Sequence, residues 1–405
     1  MKNIEKSIKL YPLFYAFTMD MIFYVPIDTL FLTLIKRLDA SQISAMTMIS
    51  LFLCIISQKA IIKIAEKIGN IKCIRLGCFT LLLSSIILTF SNSFFMLVIY
   101  RTLFEAAIML MNMTNIVLKN DLSYLNKENL YNKIRNKTNI IYSILTMLTA
   151  VISSFLFNIN NYIPLYISIF IYLIMFLFSF EMIEVNSEVN IPNINNISSK
   201  GVINNSIILY IVLSNALFAS IIRIGQINSK LFIQYDMQKF FSLDLLTMYI
   251  SIVVLISRIS RIIGNIFFGK LYSKVKENLS SILTILEFLA FVLLILGHLV
   301  KTSYILKFIL MSLGFCLILG IRDSFKVYIE DTALQIVPKE NQQRIMIFIE
   351  SSRKIAQLAL CIIVTLVLLK FELIVVELLL LYLSGVEIII NLKMLKNLRL
   401  FNTKN

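Results

Sequence analysis

The chain has 405 residues, of which 59% are hydrophobic and 15% charged, with a formal charge of +15. Soluble domains are roughly 45–50% apolar and about a quarter charged, so this composition excludes an ordinary soluble enzyme. Long non-alternating apolar runs such as Leu373–Leu383 exclude a membrane β-barrel, whose strands alternate.

A membrane-crossing helix takes about 20 mostly apolar residues, and the apolar supply, about 239 side chains, is enough for twelve. In chain order the runs fall near 10–35, 42–65, 72–92, 94–119, 137–158 and 162–182, then 204–229, 243–270, 279–299, 303–329, 342–369 and 372–396. The first follows Lys2, Lys6 and Lys9 but is some 25 residues long and lacks a small-residue cleavage site, so it reads as a retained span. Between the two sets lies the polar stretch Ile183–Asn205, rich in Asn and Ser. The expected organisation is an all-α integral membrane protein. It has a six-helix half over 1–182, a cytoplasmic linker over 183–203 and a second six-helix half over 204–405.

A positive balance in a soluble protein would suggest nucleic acid. Here no basic cluster outside the spans is interleaved with aromatics, so no nucleic-acid partner is expected. The charges mark orientation instead: with the N-terminus inside, cytoplasmic segments carry 24 Lys and Arg against 7 in external loops. Both termini are then cytoplasmic, and the bases meet anionic headgroups. Five cysteines without a CxxC, and the single His298, support neither a disulfide framework nor a zinc site, and no cofactor is expected.

Charges within the spans are costly and face a partner or a water-filled cavity. At about 1.5 Å per residue, Asp20 lies about 15 Å from the inner face, and Arg101 and Glu105 about 10–17 Å below the outer one. Glu350 and Arg353 sit about 12 and 17 Å above the inner face. Arg223 and Asp28 are expected towards the outer ends of their spans, and Arg322 in a polar cytoplasmic end of span ten. Glu287 and Glu387 read as structural groups of the inner third. Pro26 can kink span one near Asp20. Tyr24, Tyr142 and Asn215 are uncharged polar groups that could line a cavity.

The halves echo each other. Asn126-Lys-Glu-Asn129 follows span four and Pro338-Lys-Glu-Asn341 follows span ten, in corresponding loops of two six-span units. The loop after span two runs from Ile62 to Lys72, with Glu66, Lys67 and Gly69 in series. It resembles the major facilitator loop motif Gly-x-x-x-Asp-Arg/Lys-x-Gly-Arg-Arg/Lys, departing from it at Ile62 and Asn70. Gly264–Lys270 is similar to a more degenerate copy in the second half. Leu97 and Arg101 match the Leu-x-x-x-Arg-x-x-Gln-Gly pattern of proton-driven members, with Phe104 and Glu105 in place of its later residues. The Gly-x-x-x-Gly-Pro signature of drug exporters is missing from Ile144–Asn158.

This resemblance implies a secondary transporter of a small molecule in a bacterial cytoplasmic membrane, monomeric and working by alternating access with protons as partner. It also implies that spans one, four, seven and ten line a central cavity. Asp20 would then meet Arg101 and Glu105, with Glu350 and Arg353 as a second coupling pair and Glu66, Lys67 and Gly69 as a gating loop. The small number of charges inside the spans favours efflux of an amphipathic compound, with uptake of a small metabolite as the alternative. Two other classes remain: a non-transporting sensor, favoured by the degenerate motifs, and a membrane enzyme. The acid-rich end Asp323–Asp331 is the one place for the enzyme's acids and bases.

Overall fold

A computed structural model describes residues 2–127, 130–183, 206–275, 278–337 and 342–402. The linker expected over 183–203 lies outside them except for Ile183, as do 128–129 and 338–341 of the two echoing loops. The described residues are helical almost throughout. Ten helices are long and apolar enough to cross a membrane, and two shorter apolar segments, Val25–Ile35 and Ile163–Phe178, fall where the first and sixth spans are expected. The chain divides into two compact units, Met1–Pro192 and Asn193–Asn405.

In the first unit α1 (Lys2–Thr18) is followed by a 3-10 turn (Val25–Ile27), α2 (Asp28–Leu30) and a π turn (Phe31–Ile35). Then come α3 (Ala40–Ile68), α4 (Asn70–Phe90), α5 (Phe94–Met111), α6 (Met113–Tyr124), α7 (Tyr131–Ile159) and α8 (Ile163–Phe178). Span four is thus two helices meeting at Asn112. The second unit has α9 (Ser206–Met237), α10 (Leu243–Val275), α11 (Leu279–Leu299), α12 (Tyr304–Ile336), α13 (Gln342–Leu368) and α14 (Leu373–Asn402).

The two units repeat one packing scheme. In the first, α4 packs on α5 and α8, α3 on α5, and α1 on α7. In the second, α11 packs on α12 and α14, α10 on α12, and α9 on α13. Each pair of the first list has its counterpart six spans later, the internal symmetry expected of such a bundle. Side chains are distributed as lipid requires: Phe95, Phe155, Phe170 and Tyr382 are more than half exposed, while Ser84, Thr114, Ser214 and Asn391 are fully buried.

Glycine is scarce, and two places show why it persists. Gly69 alone joins α3 to α4 at φ +82°, a conformation that side chains with a Cβ rarely adopt. Gly264 lies inside α10, not in a loop as its motif-like surroundings suggest, and a Cβ there would sit 2.1 Å from the carbonyl oxygen of Gly320. The missing side chains let α10 and α12 touch backbone to backbone, and Ser260 Oγ donates to the Cys316 carbonyl at 2.9 Å across the same crossing.

Candidate functional site

Span one does not run through as a kinked helix. It stops at Thr18, leaves helical geometry over residues 19–24 and resumes as the short turns around Pro26. Pro26 has no N–H to give the Ile22 carbonyl and its ring crowds that oxygen, which disfavours a continuous helix there, although α1 accommodates Pro12. Thr18 Oγ1 donates to the Phe14 carbonyl at 2.8 Å in the last turn. Asp20 sits in the break. Its Oδ1 accepts from the Met21 N–H at 3.0 Å, and its Oδ2 accepts from Tyr142 Oη of α7 at 3.1 Å. Tyr172 of α8, fully enclosed, is an electrostatic neighbour of Asp20, Tyr100 and Tyr142.

On α5, Arg101 pairs with Glu105 one turn later at 3.2 Å, with about a fifth of each side chain exposed. The guanidinium also lies 5.8 Å from the centre of the Phe104 ring, so the departure from the family pattern at 104 supplies a π face where that pattern has an amide. Arg101 Nε is buried without a partner. Tyr24 sets its ring edge-on to Tyr100 at 6.4 Å and to Phe31 at 6.1 Å. Asp20 and Arg101 are not in ion-pair contact: Asp20 is held by Tyr142 of α7, and Arg101 by Glu105 of its own helix. The break turns the Asp20 carboxyl towards α7.

In the second unit Arg353 donates to Glu350 along α13, as the spacing suggests. Asn215 of α9 is 2% exposed and its Nδ2 has no partner. Of the loop residues, Lys67 is exposed and Gly69 makes the linker, whereas the side chain of Glu66 lies outside the described residues.

Three polar groupings join residues that the sequence reading does not bring together. Arg135 Nη1 donates to Tyr11 Oη at 2.8 Å and to Asn115 Oδ1 at 2.6 Å, joining α1, α6 and α7. The second links α9, α11 and α14: Ser214 Oγ donates to Glu387 Oε1 at 2.6 Å, and Ser280 donates to Asn391 at 3.1 Å. Glu287 and Glu387 are electrostatic neighbours and both fully buried, yet neither oxygen of Glu287 has a hydrogen-bond partner. Further along α9 and α14, Ser229 donates to Glu377 at 3.2 Å.

The third grouping corrects two placements. α9 and α12 are 32 and 33 residues long and extend past the apolar runs read as spans seven and ten. Arg223 and Arg322 therefore lie near the helix middles, not at an outer and an inner end. Arg322 Nε meets Asp323 at 3.2 Å and its Nη1 donates to Gln226 at 3.0 Å. Arg261 Nε donates to the other oxygen of Asp323 at 2.5 Å. The sequence signals for this group are the arginines inside apolar runs and the adjacent Arg322 and Asp323.

No protein-family model and no curated relative matches the sequence. Solved structures match its fold over nearly its whole length. The nucleoside transporter NupG superimposes with a TM-score of 0.74 at 13% identity, covering 98% of this chain and 99% of that one. A bacterial homologue of the iron transporter ferroportin, in an inward-facing state, gives 0.67 at 12%, covering 96% and 98%. Twelve segments in two halves with one repeated packing scheme, over the full length of such proteins, are the major facilitator fold.

Proposed function

We propose that the protein is a secondary active transporter that moves a small molecule by alternating access of its two halves, coupled to protons. The observation that carries this reading is the interruption of the first span at Asp20. Non-helical backbone at membrane depth is tolerated only where protein or a water-filled cavity satisfies it, and broken helices are where transporters hold substrate and ion. Asp20, held in this break by one tyrosine hydroxyl and one N–H, is the group proposed to carry the coupling. Arg101 and Glu105 supply a second charged group whose pairing a substrate can displace. Glu350 and Arg353 are the pair proposed for the second half, and Tyr24, Tyr142 and Asn215 the lining.

Efflux of an amphipathic compound is the direction proposed, from the paucity of charge in the first half. Uptake of a polar metabolite is the second reading, favoured by the likeness to a nucleoside transporter. Vesicles of known orientation separate the two: export predicts accumulation in inverted membrane vesicles driven by interior acid, and uptake predicts accumulation in right-side-out vesicles driven by exterior acid. Absence of compound movement in both, with nucleosides and amphipathic dyes as probes, would favour the sensor reading.

A further inference from the structure

The charges of the second unit are not balanced where they are deepest. Helix α9 spans 206–237, α10 spans 243–275 and α12 spans 304–336, so their midpoints fall at 221–222, 259 and 320. Arg223, Arg258, Arg261 and Arg322 all lie within about two residues of those midpoints, or about 3 Å along the axis. Arg261, Asp323, Arg258 and Arg223 are charged neighbours of Arg322, so Arg258, Arg261 and Arg322 crowd around the one carboxylate of Asp323. Asp323 is already committed: one oxygen accepts from Arg322, the other from Arg261 and, at 3.4 Å, from Asn265. Arg258 is 93% buried, from a relative exposure of 7%, and has no hydrogen-bond or ion-pair partner among the described residues.

Such an excess is expensive at the middle of a span unless a counter-charge arrives. The backbone contact at Gly264 and Gly320 fixes it, because it locks α10 and α12 together one turn from Arg261 and Asp323. Guanidinium forks suit carboxylate and phosphate oxygens, which they bind through paired hydrogen bonds.

We propose that this arginine group is a binding site for the anionic head, carboxylate or phosphate monoester, of the transported compound. The inference deepens the transport reading and rests on it for the word transported; the anion site itself stands on the second unit alone. Arg258 supplies the uncommitted guanidinium, Arg322 and Arg261 form the rim held by Asp323, and Gln226 orients Arg322. The substrate is then an amphipathic anion.

The test uses the full chain in nanodiscs of neutral lipid, titrated with benzoate, phenyl phosphate, benzyl alcohol and benzylamine by calorimetry. One or both anions should bind at least tenfold tighter than benzyl alcohol, with benzylamine weakest, and added sodium chloride should weaken the anions selectively. Arg258→Gln should cost tenfold or more in anion affinity, and Arg258→Lys should recover part of it. Equal binding of anion and alcohol, or anion binding indifferent to salt, overturns the proposal in the wild-type protein even if a variant fails to fold. Flux in proteoliposomes separates the two readings. Anion binding without flux upholds the site and removes the transport reading. Flux of the anions that Arg258→Gln leaves unchanged upholds transport and removes the site.

Discussion

The two halves share a packing scheme but differ in how their arginines are balanced. In the first, each deep charged group described has a local partner: Asp20 has Tyr142, and Arg101 has Glu105. In the second, Arg353 has Glu350, but Arg322 and Arg261 both bind Asp323 with Arg258 beside them, while Glu287 and Glu387 lie near each other with most of their oxygens unpartnered. A balanced, hydrogen-bonded group suits a proton, whose arrival changes the charge by one. An unbalanced group suits a ligand that brings the missing charge. One architecture repeated twice can therefore carry different polar groups in its two halves, because the pattern of helix packing does not constrain which buried positions are polar.

The comparison breaks most sharply at the α10–α12 crossing. Gly264→Leu would press a side chain into the Gly320 carbonyl, beyond the 1–3 kcal/mol typical of overpacking. No monodisperse protein is expected by gel filtration; a wild-type elution and melting temperature would show that the close crossing does not hold the arginine group. Ser214→Ala should come next. It leaves the buried Glu387 carboxyl without its hydroxyl donor, at a cost of about 1–3 kcal/mol, which lowers the melting temperature by several degrees. Thr80→Ala is the control, since that exposed hydroxyl returns to its own helix at the Leu76 carbonyl; equal losses in both variants would contradict the buried network.

Tyr142→Phe sharpens the first half. Loss of one hydrogen bond to Asp20, about 1 kcal/mol, should slow coupled proton movement roughly fivefold while leaving the melting temperature near wild type. An unchanged rate would place Tyr142 outside the coupling site.

The smallest effect is a pH slope. Lys36, just beyond the outer end of span one, donates to the Thr89 carbonyl at 2.9 Å and to Asn92 at 3.1 Å, and burial pushes its ammonium down to about 8. Between that value and its ordinary pKa near 10.5, the unfolded chain holds a proton that the folded one has lost. Stability from this group therefore rises with pH across that window. Melting temperatures of the wild type should rise relative to Lys36→Met as pH goes from 8 to 10; parallel curves would contradict the burial effect.

The sequence carries the bundle and much of the first site. Apolar runs mark the twelve segments because lipid leaves no other use for them, and Pro26 beside Asp20 announces a disturbance in span one. What it conceals is where helices end. Helix α9 continues to Met237 and α12 to Ile336, past the apolar runs at 204–229 and 303–329, and helicity does not fall where those runs end. Arg223 and Arg322 consequently read as terminal residues although they are central. The link between Ser214 and Glu387 spans 173 positions and depends on α9 meeting α14, which no local pattern encodes. The Arg101–Glu105 pair is the opposite case, since i,i+4 geometry on one helix is visible in the spacing alone.

Coupled transport centred on Asp20 is tested most directly by compound-driven proton movement in proteoliposomes carrying an internal pH dye. Amphipathic anions, nucleosides and neutral dyes would be added in turn to wild type, Asp20→Asn and Arg101→Ala. The expected result is that at least one compound moves protons through the wild type and that both variants lose this movement while remaining folded. Proton movement that persists at the wild-type rate in Asp20→Asn would contradict the assignment of the broken first span as the coupling site.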